Sequence, residues 1–260
     1  MIIAEPYDAF LFDLDGVLYR GAEPVDGAPE AVARLRSLGK NVAFVTNNSS
    51  RTPEAVAAKL AEVGIVADTD EIETSALATA DLLASRGVVD AFVIGEEGIV
   101  EALRAKGIRL LDADAAKAET VVVGWDRGVD YAKLRTASLL VERGAALVAT
   151  NADASFPAPD GLWPGAGALL AAIETTTGAS AEVVGKPQPP LLRAALVRVG
   201  GGRPLLIGDR LDTDIAGAVG LGWDSLLVLT GISTREDLVG SSFVPTYVGE
   251  DLSTLFASPA

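Results

Sequence analysis

The chain has 260 residues, a formal net charge of −15, no cysteine and no histidine. Those absences exclude disulfide frameworks, cysteine chemistry, Ser-His-Asp catalysis and His-ligated zinc, and leave carboxylates and hydroxyls, a donor set suited to magnesium. The acidic balance opposes nucleic-acid binding, so a phosphate site here must carry its own positive charge from a metal, a lysine or backbone N–H groups.

Hydrophobic residues at 49% and charged residues at 22% describe a globular chain, and aromatics at 5% leave the core to Val, Leu, Ile and Ala. The start, MIIAEPYDAF, lacks the basic and long apolar stretches of a signal peptide, and no apolar run approaches the roughly 20 residues of a membrane span. A cytoplasmic protein is the expectation.

In chain order, Ala9–Leu14 reads as a buried strand, Pro29–Leu38 as a helix ended by Gly39, and Asn41–Val45 as a second strand. Pro53 opens a helix with Thr52 as its N-cap and Gly64 as its stop, and Ser75–Ser85 is another helix. Ala91–Ile94, Thr120–Val123 and Ala146–Ala149 are predicted strands; Glu97–Lys106, Tyr131–Arg143 and Gly167–Thr176 are predicted helices. Leu205–Ile207 and Ser225–Leu229 then read as strands, with helices over Pro190–Val199 and Thr213–Val219. This β/α alternation predicts an α/β fold, a mostly parallel Rossmann-like sheet covered on both faces.

Four polar blocks interrupt the pattern. Asp13 and Asp15 follow an apolar strand, two residues apart and so able to face one site. Thr46-Asn47-Asn48 supplies hydroxyl and amide groups at the end of the second strand; an N-cap or Asx-turn is the plainer reading. Lys186 lies between Gly185 and Pro187 after the apolar Val183-Val184; a solvated lysine is the plainer reading there. Asp209, Asp212 and Asp214 follow the strand ending near Gly208. Grouping them is costly without a cation, although Asp212 also suits a helix N-cap. All four blocks fall just beyond the carboxyl end of a predicted strand, the edge where open parallel sheets bind ligands.

These blocks, DLDGVLYRG, TNNSS, GKP and GDRLDTD, resemble in order and spacing the four motifs of the haloacid dehalogenase superfamily. TSALATADLL, GKPQPPLLRAAL and the stretch from ATNADASFP to GLWPGAG are similar to its subfamily IIA, the NagD-like and 4-nitrophenylphosphatase-like branch. The resemblance implies a magnesium-dependent phosphatase that hydrolyses a small phosphomonoester through an aspartyl-phosphate. It implies that Asp13 is the nucleophile and that Asp15 is the general acid and base. Thr46, Asn47 and Lys186 would hold phosphate; Asp13, Asp209 and the Asp15 carbonyl would ligate magnesium, with Asp214 in support.

Spacing sets the domain layout. About 30 residues separate Asp15 from Thr46, which one helix and one strand consume, whereas about 140 separate Thr46 from Lys186. The core needs roughly 40 of these, and roughly 100 remain, a domain's worth. An inserted α/β domain is therefore predicted over 82–180, within a core of 1–81 plus 181–260; the resemblance implies that the insert is a C2-type cap. Within it, Asn151–Trp163 is predicted to be a structured loop because of its prolines and Asp160-Gly161. The resemblance places Phe156 there at the substrate's leaving group; the alternative packs Phe156 and Trp163 as cap core.

A metal-free dehalogenase does not need Asp15. A phosphomutase or phosphotransferase uses the same motifs. A non-catalytic receiver-like phosphate sensor would be about half this length and lack the Asp-x-Asp pair. The expected partner is a small phosphorylated metabolite, with a homodimer through the cap as a further expectation from the resemblance.

Overall fold

An apolar tetrapeptide with no polar face belongs in the middle of a sheet covered on both sides. In the computed structural model, which describes residues 2–158 and 160–258, Ala9–Phe12 is such a strand and is buried at all four positions. The elements run β1 (Ala9–Phe12), β2 (Tyr19–Arg20), β3 (Glu23–Pro24), α1 (Ala28–Ser37), β4 (Asn41–Thr46), α2 (Pro53–Glu62), β5 (Ile72–Thr74), α3 (Ser75–Ser85), β6 (Asp90–Ile94), α4 (Glu97–Ala105), β7 (Arg109–Leu110) and β8 (Thr120–Val123). They continue α5 (Tyr131–Glu142), β9 (Ala146–Ala149), β10 (Ser155–Ala158), β11 (Gly161–Pro164), α6 (Ala166–Thr177), β12 (Glu182–Val183), α7 (Pro189–Arg198), β13 (Pro204–Gly208), α8 (Ala216–Leu221), β14 (Asp224–Val228) and β15 (Tyr247–Gly249).

Packing divides the chain into two units. One comprises the chain up to Thr46, Glu54–Glu73 and the chain from Lys186 onward; the other comprises Asn47–Pro53 and Thr74–Gly185. Compared with the 82–180 estimate, the second unit also takes in residues 74–81, so that α3, which packs on α4, lies wholly within it, together with residues 47–53 and 181–185.

The first unit carries a six-stranded sheet in the order β15-β14-β13-β1-β4-β5. β1 lies parallel to β13 and to β4, with Phe12 level with Ile207 and Phe44. The sheet is held by Phe10, Phe12, Phe44, Leu205 and Ile207, all fully buried, each stabilising the fold by roughly 1.5–3 kcal/mol. α1 shows how the sequence specifies a covering helix: Ala28, Ala31, Val32 and Leu35 recur at helical spacing and are its buried face. The second unit carries a parallel five-stranded sheet, order β12-β9-β8-β6-β7, packed on its own core of Val121, Val123, Leu140 and Ile173. Its α5 is capped by Asp130, whose side chain accepts from the Lys133 backbone N–H.

Three expectations change. β10 (Ser155–Ala158) pairs antiparallel with β11 (Gly161–Pro164) where a loop was expected. The pair stands as a separate two-stranded sheet, where a proline interrupts no central ladder. Trp163 is exposed at 39% and so is not cap core. The helix read over Thr213–Val219 begins instead with a π-helical turn, Leu211–Ile215, before α8. Pro159, one of the prolines behind the loop reading, lies outside the described residues.

The edge strand β5 was not legible, because Glu73 and Thr74 interrupt any apolar run. Glu73 is 1% exposed and ion-paired to Arg198 Nε at 2.5 Å. Arg198→Ala should therefore destabilise the protein by about 3 kcal/mol, the low end for breaking a buried pair because Arg198 is a quarter exposed. Glu73→Gln/Arg198→Met should recover most of that loss in urea denaturation.

Candidate active site

The shared register of β1, β4 and β13 brings their carboxyl ends to one level, and the polar blocks begin there. The Asp13 backbone N–H donates to the Ile207 carbonyl at 2.9 Å, so the ladder reaches Asp13 itself. The chain then turns: Leu18 and Tyr19 both donate to the Leu14 carbonyl. Gly16 has φ +83, and a Cβ there would lie 2.5 Å from Asp209 Oδ2, so both conformation and space require glycine.

Lys186 is 4% exposed and lies between two carboxylates. Its Nζ is 2.6 Å from Asp13 Oδ1 and 2.7 Å from Asp214 Oδ1. Burial alone would depress the ammonium's pKa, but Asp13 and Asp214 more than offset it, and the pKa rises above the ordinary lysine value. Burial pushes the Asp13 carboxyl up, Lys186 opposes the rise, and Asp214 and Asp209 add to it. Asp209 is pushed up to about 6 by burial and by Asp214, against the Ile232 N–H, which donates to Asp209 Oδ2 at 2.7 Å.

Asp13, Asp209 and Asp214 each present an oxygen within 4.8 Å of the others. Three carboxylates and one ammonium leave a surplus of two negative charges. Asp209 Oδ1 is buried and has no hydrogen-bond partner among the described residues. An orphaned buried acceptor beside uncompensated carboxylates fits a hard divalent cation, whose oxygen donors would be these residues. The π-helical turn contributes to this arrangement by carrying Asp214, which accepts from the Arg210 backbone N–H, back towards Gly208.

Two readings of the polar blocks are corrected. Asp212 is neither an N-cap nor part of the acidic group. Its carboxylate takes a two-pronged bond from Arg210, at 3.0 and 2.7 Å, and Asp13 completes the trio. Lys186 does not follow a strand of the same sheet as Asp13, because β12 pairs with β9 in the insert.

The remaining predicted residues fall in both units. Thr46 is buried as the last residue of β4. Asp15 is exposed, two residues from Asp13. Asn47 packs with the insert unit, where its Nδ2 donates to Asp153 Oδ2 at 3.1 Å. Phe156 is half-buried and stacks on Trp125 at 4.3 Å between ring centroids.

A further segment escaped the sequence reading. After β14, Thr230 Oγ1 donates to the Gly16 carbonyl at 2.6 Å, and the Ser233 N–H donates to the Asp209 carbonyl at 3.0 Å. A Cβ on Gly231 would collide with the Asp209 carboxylate. This loop therefore clamps Asp209 and the turn after Asp13 together. Its signal was Thr-Gly directly after an apolar strand, the same strand-end pattern as the other blocks.

Comparison with known proteins identifies the family of the chain. The family profile "Haloacid dehalogenase-like hydrolase" matches residues 10–109, and a related HAD-hydrolase-like profile matches residues 183–255. An acid sugar phosphatase of Staphylococcus saprophyticus is 40% identical over 250 residues, covering 95% of this chain and 96% of its own. A Mycobacterium tuberculosis glycerol phosphate phosphatase, solved in complex with magnesium, superposes with a TM-score of 0.94 at 37% identity, covering 99% of this chain and 79% of its own. The same phosphatase is also known in complex with calcium. A thermostable NPPase of Geobacillus stearothermophilus superposes at 0.88 with 40% identity, covering 97% of this chain and 98% of its own. The chain belongs to the haloacid dehalogenase-like hydrolases. It is a phosphatase, a hydrolase acting on phosphoric monoesters.

The raised Asp209 pKa makes a testable difference without metal. A carboxyl raised from 3.8 to about 6 contributes stability that is present below pH about 4 and is lost as pH rises through about 6. In chelator, Asp209→Asn should thus be more stable than wild type at pH 7 by about 3 kcal/mol, with little difference at pH 4. Added magnesium should reverse the order at pH 7. Thermal unfolding at the two pH values checks it.

Proposed function

We propose that the protein is a magnesium-dependent phosphatase of small phosphorylated metabolites that works through an aspartyl-phosphate on Asp13. The observation that carries this reading is the Asp13 carboxylate held 2.6 Å from a buried ammonium, beside the orphaned Asp209 oxygen. Magnesium, held by Asp13, Asp209 and the Asp15 carbonyl with Asp214 in support, would supply charge neutralisation for an anion attacking an anion.

The residues divide the remaining work. An Asp13 oxygen attacks phosphorus; the Asp–O–P bond forms as the bond to the leaving oxygen breaks. The exposed Asp15 carboxyl gives its proton to that oxygen. A water then attacks phosphorus, Asp15 takes its proton, and Asp13 is released as carboxylate with inorganic phosphate. Thr46, Asn47 and Lys186 hold the phosphate oxygens, so the positive charge that the acidic chain otherwise lacks comes from Lys186 and the cation. Phe156 presents an apolar face to the leaving group.

The substrate class is sugar or polyol phosphates. This follows from the similarity to enzymes named for sugar phosphates and for glycerol phosphate. No described helix is long and apolar enough to cross a membrane, and a cysteine-free chain suits the cytoplasm, the location proposed here. Two copies pairing through the insert is a further proposal, supported by the exposed Leu162, 76%, on β11.

Asp13→Asn should keep the fold and lose turnover by at least about 10³-fold, because an amide is a far poorer nucleophile and ligand. Activity within tenfold of wild type would refute the covalent route. Asp15→Asn should lose about 10²–10⁴-fold on alkyl phosphates but less on 4-nitrophenyl phosphate, whose leaving group needs little protonation. Equal losses on the two would remove the acid role. Chelation should abolish turnover and magnesium restore it, with calcium a poor substitute because its looser coordination misplaces the reacting oxygens.

A further inference from the structure

Inside the insert unit, Asn47, Asn151 and Asp153 close a ring of hydrogen bonds. Asn47 Nδ2 donates to Asp153 Oδ2 at 3.1 Å, the Asp153 backbone N–H donates to Asn151 Oδ1 at 3.1 Å, and Asn151 Nδ2 donates to the Asn47 carbonyl at 2.7 Å. The ring is anchored on both sides. Ser75 Oγ donates to the Asn47 carbonyl at 2.6 Å, and the Gly167 N–H at the start of α6 donates to the Asp153 carbonyl at 2.9 Å. Gly165 and Gly167 admit this approach, since a Cβ on either would collide with the Ala152 or Asp153 carbonyl. Asn151 is 4% exposed and Asp153 half-buried, so the ring is built into the unit.

An asparagine amide is nearly symmetric in shape, and a half-turn exchanges its donor and acceptor ends. A phosphate oxygen accepts only, so an amide that serves phosphate must present nitrogen and keep its carbonyl oxygen away. A carboxylate also accepts only, and Asp153 therefore selects one of the two orientations. The opposite end is fitted to that choice: Asn47 Oδ1 lies against Gly185, where a Cβ would come within 2.6 Å of it.

We propose that Asp153 is a positioning residue: it fixes the Asn47 amide in the orientation that donates to the substrate's phosphate. This rests on the reading of Asn47 as a phosphate ligand. It also gives the segment after Thr46 a reason to pack with the insert, because the insert holds the side chain that the phosphate needs.

The test uses the magnesium-loaded full chain and inorganic phosphate, as a calorimetric ligand and as a competitive inhibitor of 4-nitrophenyl phosphate hydrolysis. Asp153→Ala should weaken phosphate and raise KM about tenfold, the cost of freeing one charge-assisted hydrogen bond, while kcat falls by less than about threefold. Asp153→Asn keeps an acceptor oxygen and should stay within about threefold of wild type. Should Asp153→Ala not fold, Asp153→Ser, whose hydroxyl is too short to reach Asn47, takes its place. In an Asn47→Ala background the Asp153 change should add nothing, which a merely structural role would not produce. Equal weakening in both backgrounds overturns the proposal. So does unchanged phosphate binding in Asp153→Ala while Asn47→Ala is impaired. Unchanged binding in Asn47→Ala removes the ligand reading itself, and the positioning role with it.

Discussion

The site depends on one buried ammonium. Lys186 is the cation that permits Asp13 and Asp214 to sit together out of water, and it does so at 2.6 and 2.7 Å. Buried charges are tolerated only when paired, and here the pairing is incomplete by design of the residue set: three carboxylates face one lysine. The deficit shows in the chemistry of the groups. Burial and mutual repulsion raise the Asp13 and Asp209 carboxyls, and one Asp209 oxygen lacks a donor among the described residues. A site left short of positive charge favours binding a cation. The chain's acidity elsewhere makes this local arrangement necessary.

Holding like charges together requires backbone, because no side-chain pairing remains to do it. Parallel strands supply the platform, and the turns beyond them are fixed by hydrogen bonds between loops. Thr230 ties to Gly16, Ile232 and Ser233 tie to Asp209, and Arg210 N–H ties to Asp214. Gly16, Gly208 and Gly231 leave room for carboxylates where a Cβ would collide. Closeness of the acids is thus a property of backbone packing. A π-helical turn, one residue wider than an α-turn, is the kind of local irregularity expected where geometry serves a site rather than stability.

Much of this was legible because the physics is local. β1 is apolar on both faces and α1 repeats apolar residues at helical spacing, and both lie where periodicity places them within a residue or two. Asp13, Thr46, Lys186 and Asp209 could be singled out because four polar blocks fall together just beyond predicted strand ends, although each alone has a plain structural explanation. What was not legible depends on tertiary context. Asp212 and Asp214 look alike in sequence, and only the π-helical turn sends one to Lys186 and the other to Arg210. Lys186 seemed to leave the main sheet, but its preceding strand is two residues long and pairs in the insert. The β10–β11 pairing hid behind prolines that a central strand would reject. The Thr230–Ser233 loop carries no charge, so its Thr-Gly strand-end signal was easy to pass over, and its role rests on bonds to Asp209 and Gly16.

The central claim is that Asp13 takes the phosphoryl group. Rapid acid quench of the full-length enzyme turning over 4-nitrophenyl phosphate, followed by peptide mass analysis, measures this directly. The proposed covalent route predicts one phosphoryl group on the peptide containing Asp13, formed only with the divalent cation and lost in a chase without substrate. A phosphoryl group on a different residue, or an unmodified Asp13 throughout steady turnover with hydrolysis limited by the second step, would contradict it.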